Sequence, residues 1–119
     1  MATVALTKDT FTDIVARDGI VLVDWWAGWC GPCRMFAPVF ERASDNHPDI
    51  TFGKVDTEAQ LELQARYDIR SIPTIMAIRD GIIVFAQPGM LPEQLLDSLI
   101  TQVRALDMEQ VKAQAGHTH

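Results

Sequence analysis

Cys30 and Cys33 are the only cysteines of the 119-residue chain, and they stand three positions apart. A C-x-x-C where a strand gives way to a helix, inside an alternating βα pattern, reads as a thiol–disulfide redox motif. At a helix start, sulfurs so spaced come within bonding reach, as a disulfide requires. Gly31 relieves backbone crowding between them, and Pro32 at a first helical position forfeits no hydrogen bond. Cys30 then falls near the helix N-terminus, where unpaired N–H groups and the helix dipole favour a thiolate. Cys33 lies further into the helix and is expected to be less exposed. Cys30 is therefore read as the attacking sulfur and Cys33 as the resolving one.

Two plainer readings compete. The pair could be half of a zinc site, but a closed site needs four ligands. No second C-x-x-C or H-x-x-x-H is present, and His47, His117 and His119 are far off in sequence. The cysteines could also be inert core residues. Their place at the junction, the Gly-Pro between them and the tryptophans before them argue against that. Asp24 is the other residue that asks for chemistry. It interrupts the apolar run from Ile20 to Ala27, and burial there would raise its pKa.

These residues need elements to hold them. The run from Ile20 to Ala27 fits a strand buried on both faces. A helix from about Pro32 carries Met35, Phe36, Val39 and Phe40 as its apolar stripe, with a kink expected at Pro38. The polar segment from Ser44 to Asp49 ends it. Before the central strand come a β-prone opening at residues 2–6 and a helix with Thr7 as N-cap, bearing Phe11, Ile14 and Val15. Asp18-Gly19 stops that helix. After it, Ile50 to Asp56 reads as a strand. Thr57 to Tyr67 reads as a helix with Leu61, Leu63 and Ala65 among its apolar residues. Thr74 to Arg79 and Ile82 to Ala86 flank Asp80-Gly81, a hairpin signal. Pro92 is expected at the first position of a last helix, striped by Leu95, Leu96, Leu99, Ile100 and Val103. The order βαβαβαββα implies an α/β fold, a central mixed sheet with helices on both faces.

One domain is expected over residues 1–106. Residues 107–119 form a C-terminal extension. In it, Asp107 and Gln110 could make a capping box for a short helix through about Gln114, before a frayed end from Gly116. A net charge of −6 argues against general nucleic-acid binding and against a basic membrane-surface role. No apolar run reaches the roughly 18 residues of a membrane span. The N-terminus lacks the order of a signal peptide. A cytoplasmic, monomeric protein is the expectation, and two cysteines in a reducing compartment are more readily catalytic than structural.

The segment Trp26-Ala27-Gly28-Trp29-Cys30-Gly31-Pro32-Cys33 resembles the active site of the thioredoxin family, and the resemblance covers roughly residues 3 to 105. It implies the thioredoxin fold and a dithiol–disulfide oxidoreductase that reduces protein disulfides. It makes Asp24 the buried aspartate that assists deprotonation of the resolving cysteine, with Lys54 as its partner. Ser71-Ile72-Pro73-Thr74 matches the family's cis-proline segment facing the cysteines, which leaves backbone groups free to pair with a substrate strand. Gly89 matches the glycine of a third loop at the site. Substrate contacts are expected from Trp29, Gly31, Pro32, Ile72, Pro73 and Gly89, with Trp26 packed under the loop. The partners implied are disulfide-containing proteins and a thioredoxin reductase. NADPH and FAD enter only through that reductase, and no cofactor or metal is expected on this chain. Three positions depart from the family's common pattern: Gly28, Trp25 and Pro88. Gly-Pro between the cysteines, in place of a histidine-containing pair, argues against an oxidase or isomerase. The remaining alternative is a redox-independent binding module or chaperone-like subunit of the same fold.

Overall fold

The apolar run becomes strand β2 (Ile20–Trp26), buried along its length and hydrogen-bonded on both edges. The computed structural model describes residues 2–117. Its other strands are β1 (Thr3–Ala5), β3 (Thr51–Asp56), β4 (Thr74–Arg79) and β5 (Ile82–Pro88), and the five form one sheet in the order β1-β3-β2-β4-β5. β1, β3 and β2 run parallel, while β4 and β5 run antiparallel beyond β2. The Asp80-Gly81 turn joins β4 to β5 as expected. Both of its residues have positive φ, 52° and 80°, a conformation that Gly and Asp tolerate best.

Alternation along the strands divides the core in two. Leu22, Phe52, Ile75 and Ala77 face α2 (Gly31–Asn46) and α4 (Glu93–Arg104), meeting Phe36, Phe40, Leu96 and Ile100. Val21, Val23, Trp25, Val55 and Met76 face α1 (Phe11–Val15) and α3 (Leu61–Arg66), meeting Phe11 and Leu63. Rings cross both boundaries. Phe40 meets Phe52 edge-on at 5.2 Å, and Phe11 lies 5.6 Å from Trp25 and 4.9 Å from Tyr67. The mixed sheet with helices on both faces is the architecture expected.

The helices differ from expectation in detail. Thr10, not Thr7, is the N-cap of α1; Thr7 instead accepts from the N–H of Phe11 in the turn before it. α2 begins one residue earlier than expected, at Gly31, passes through Pro38 and continues to Asn46, where His47-Pro48 stops it. Only Phe36 and Phe40 of its stripe are buried, Val39 is half-buried, and Met35 faces solvent. Residues 57–59 form a turn, so α3 starts only at Leu61. Of its apolar residues Leu63 alone is buried. Pro92 is the N-cap of α4 and not its first helical residue, and Leu95 points outward.

A fifth helix, α5 (Met108–His117), runs past the expected end at Gln114. Asp107 caps it by accepting from the N–H groups of Glu109 and Gln110 at 3.1 and 3.3 Å. The frayed end was expected from Gly116; the backbone is helical through His117, and Thr118 and His119 lie outside the described residues. Arg79 fastens this corner. Its Nη1 donates to the carbonyls of Val103, Arg104 and Leu106 at 2.8, 3.1 and 3.1 Å, gathering acceptors at the end of α4, of which Val103 also takes the Leu106 N–H. Lys112 on α5 lies 3.8 Å from Asp80 of the hairpin. Replacing Arg79 by Met keeps much of the stem and removes the donor. Losing these charge-assisted bonds is expected to cost about 1–3 kcal/mol. Urea unfolding checks this: the midpoint falls at unchanged slope, and an unmoved midpoint would show that the guanidinium does not hold the corner.

Candidate active site

The last residues of β2 deliver the chain to the cysteines. The Trp26 carbonyl accepts from both the N–H and the hydroxyl of Thr57, at 2.9 and 3.0 Å, which pins the end of β2 to the turn after β3. The chain then turns through Ala27 to Cys30, with the Cys30 N–H bonded to the Ala27 carbonyl at 3.2 Å. Arg34 reaches back from α2 to the Gly28 carbonyl at 3.2 Å and closes the loop. Cys30 is the N-cap of α2 with extended backbone, and its sulfur accepts the N–H of Cys33 at 3.2 Å. A cap side chain meets one of the orphan donors of a helix start; here a sulfur does what an oxygen usually does. Cys30 and Cys33 are joined as a disulfide. Both are buried, Cys33 slightly more deeply. Gly31 and Pro32 form the first turn between them, and Pro32 is exposed.

Asp24 is fully buried on the α2 side of the sheet. Its neighbours across the strands are Lys54 on β3 and Ile75 on β4. Neither carboxylate oxygen has a hydrogen-bond partner among the described residues. Burial pushes the Asp24 carboxyl up from 3.8 to about 7, against a smaller downward pull from the Lys54 ammonium. Lys54 is thus Asp24's neighbour in register, but its Nζ lies over the ring of Trp26, 5.1 Å from the ring centre. Trp26 is half-buried under the loop.

The Ile72–Pro73 peptide is cis, as the resemblance implies. The Ile72 carbonyl oxygen lies 3.7 Å from Cys30 Sγ, so this segment faces the disulfide. Gly89 follows β5, and its N–H donates to the Pro73 carbonyl at 2.8 Å. Its φ of 102° explains the glycine, since a side chain is strained there. Trp29 is 68% exposed, and its indole N–H donates to Glu58. The fold therefore brings together Cys30, Cys33, Gly31, Pro32, Ile72 and Pro73, with Gly89 behind the proline. Asp24, Lys54 and Trp26 lie in the sheet layer below.

Thr57, Glu58 and Arg34 were given no part in the site by the sequence, yet they fix the loop. Their signal was slight: a hydroxyl and a carboxylate just past a strand, and a cation one residue after the second cysteine. Of the unusual positions, Gly28 is exposed, and a Cβ there would meet nothing within 4 Å, so space does not demand a glycine. Pro88 ends β5 opposite Thr74. Trp25 fills the α1–α3 core, with its indole N–H buried and without an acceptor among the described residues.

The raised pKa of Asp24 makes stability fall with pH. Below about pH 4 the carboxyl is protonated in folded and unfolded chain alike. As pH rises from 4 toward 7 the unfolded chain ionises while the buried group does not. The loss levels off above about 7 and amounts to about 4 kcal/mol. Asp24→Asn, of the same shape and uncharged, should escape it. In urea melts of the oxidised proteins the variant's advantage is expected to grow by several kcal/mol from pH 4 to pH 8. An advantage independent of pH would show that Asp24 ionises normally.

Comparison with known proteins agrees with the fold. The Thioredoxin family model matches residues 2–102. Putative thioredoxin 2 of Streptomyces coelicolor is 52% identical over 97% of this chain and 91% of its own length. The thioredoxin of Bacillus subtilis is 36% identical over 86% of this chain and 98% of its own. Among solved structures, Malassezia sympodialis thioredoxin (Mala s 13) superposes with a TM-score of 0.77 at 32% identity, covering 86% of this chain and 93% of that one. These matches span the sheet and both cysteines, and the chain belongs to the thioredoxin family of disulfide oxidoreductases.

Proposed function

We propose that this chain reduces disulfides in other proteins, with Cys30 as nucleophile and Cys33 as resolving thiol. The observation that carries the reading is Cys30 itself. It caps α2, takes the Cys33 N–H on its sulfur, and lies beside the Ile72 carbonyl. In the reduced protein the Cys30 thiolate attacks one sulfur of the substrate disulfide. The substrate's S–S bond breaks, its other sulfur leaves as a thiolate, and a mixed disulfide forms. Cys33 then gives up its proton and attacks Cys30 Sγ. The Cys30–Cys33 bond forms, the second substrate sulfur departs, and two electrons have passed to the substrate.

Asp24 is the acceptor for the Cys33 proton in this reading. A buried carboxyl that titrates near neutrality can take a proton at working pH and return it. Lys54 stabilises its charged form. A substrate strand pairs with backbone at Ile72 and rests on Trp29, Gly31, Pro32, Pro73 and Gly89. Backbone pairing orients the substrate without demanding a particular sequence. A thioredoxin reductase restores the dithiol with NADPH through its own FAD. The reading places the protein in the cytoplasm as a monomer, with residues 1–106 as the working domain and 107–119 as an appended segment.

With protein disulfide, reductase and NADPH supplied, Cys30→Ser is expected to abolish turnover, a loss of more than about 1,000-fold, since removal of a catalytic nucleophile alone can cost on the order of 10⁶. Cys33→Ser should instead stall as a mixed disulfide, visible as a covalent adduct on a non-reducing gel and released by added thiol. Turnover by Cys30→Ser near the unsubstituted rate, or no adduct with Cys33→Ser, would overturn the assignment of the two sulfurs.

A further inference from the structure

Between β1, β3 and α2 lies a cleft of about 520 Å³, walled in part by Thr3, Trp26, Glu41, Lys54, Asp56 and Gln60. Lys54 sits where the strands meet, level with Asp24 on β2 and with Ala5 on β1. Its ammonium lies over Trp26 and makes no ion pair within 4.0 Å among the described residues. Glu41 reaches the cleft from α2. Thr3 Oγ1 donates to its Oε1 at 2.6 Å, while Oε2 is buried with no hydrogen-bond partner among the described residues. Thr3 is paired with Phe52, two residues along β3 from Lys54, or about 6.6 Å. The lysine's four-carbon stem spans such a distance in either direction. Asp56, the third carboxylate, is half-buried at the far end of β3 and accepts the Glu58 N–H at 3.0 Å. β4 offers Asp24 only Ile75, and α2 contributes Glu41 and the cysteine pair.

One cation therefore lies in register with Asp24 and lines the same cleft as the carboxylates of Glu41 and Asp56. We propose that Glu41 is a positioning residue: its tethered carboxylate draws the Lys54 ammonium into the β1–β3 cleft, away from Asp24, and so sets the pH at which Asp24 gives and takes its proton. The physical ground is competition. Asp24 has lost its water and any hydrogen bond, so only charge compensates its ionised form. Lys54 is the nearest source of that charge, and Glu41 holds a bare buried oxygen on the other side of it. The inference deepens the reading of Asp24 as proton acceptor for Cys33, and rests on that reading for its effect on exchange.

The test is Glu41→Gln, which has the same shape and keeps an acceptor for Thr3. Carboxyl-carbon NMR follows the titration of Asp24 in the oxidised protein. With the competitor neutral, Lys54 serves Asp24 alone, and the Asp24 midpoint is expected to fall by about 1 pH unit. In a Lys54→Met background the same substitution should leave the midpoint where it was. A crystal structure of Glu41→Gln should have Lys54 Nζ within hydrogen-bond reach of Asp24. An unmoved midpoint, an equal fall without the lysine, or an ammonium still over Trp26 would each overturn the proposal. The titration reads Asp24 directly and does not depend on exchange rates. An Asp24→Asn variant whose exchange rate kept its pH dependence would instead overturn Asp24's part in exchange.

Discussion

The parallel pairing of β2 with β3 is the constraint on which the site depends. It sets Asp24 opposite Lys54, Trp25 opposite Val55 and Trp26 opposite Asp56. A slip by one residue would turn every side chain of β2 to the other face. Asp24 would then enter the α1–α3 core and Trp25 the α2 side. The register is held by bulk: Val21, Val23 and Trp25 fit among Phe11, Leu63 and Met76, while Leu22 fits beneath Phe36 and Phe40. The Thr57 bonds to Trp26 then lock the last step before the loop. Cys30 is placed by this chain of contacts before any property of cysteine enters.

At the cysteines, two influences favour a thiolate on Cys30, and their sizes differ. The helix dipole contributes about 0.3–1 kcal/mol for a charge at an exposed N-terminus, and up to about 2 where partly buried. A hydrogen bond to a charged acceptor contributes about 1.5–3 kcal/mol. The Cys33 N–H already points at Cys30 Sγ, so the specific bond outweighs the general field. Its geometry depends on α2 starting at Gly31 with Cys30 as the cap, which the Gly-Pro pair makes easy. The same residues thus shape the helix start and direct an N–H at the sulfur proposed as nucleophile.

Local patterns were legible in the sequence, and long-range pairs were not. The apolar run from Ile20, broken only by Asp24, gave away β2, Asp80-Gly81 the hairpin, and the spacing of Leu96, Leu99, Ile100 and Val103 the buried stripe of α4. Periodicity says which residues share a face, but not how wide the covering layer is. Met35, Leu61 and Leu95 stand at the edges of their stripes and face solvent. Residues 57–59 are tied down by contacts to β2 and β3, and that override of helical propensity shortens α3. The cysteines, Asp24, Lys54, Pro73 and Gly89 could be named because chemistry or family resemblance singled them out. Glu58 meets Trp29 across 29 positions, Glu41 meets Thr3 across 38, and Arg79 meets the end of α4 across 24 to 27. Such pairs depend on the topology of the whole sheet, and a single sequence carries no local mark of them.

In the proposed exchange, electrons pass at the outer face and the Cys33 proton passes to the layer below. Trp29 and Pro32 stand outward beside the Ile72–Pro73 segment, and a docked chain would cover that surface. Asp24 lies a layer below, and the cleft holding Lys54, Glu41 and Asp56 opens between β1 and α2. A substrate seated on the sulfurs would leave uncovered the cleft that Lys54, the neighbour of Asp24 in register, helps to line. This matters because, in the proposed exchange, the mixed disulfide is resolved with the substrate still attached: Cys33 would lose its proton while the outer face is covered. A base reached only from the docking surface would be cut off at the step that uses it. A carboxyl buried in the central strand, with Lys54 beside it in register, would stay in place beneath a docked chain.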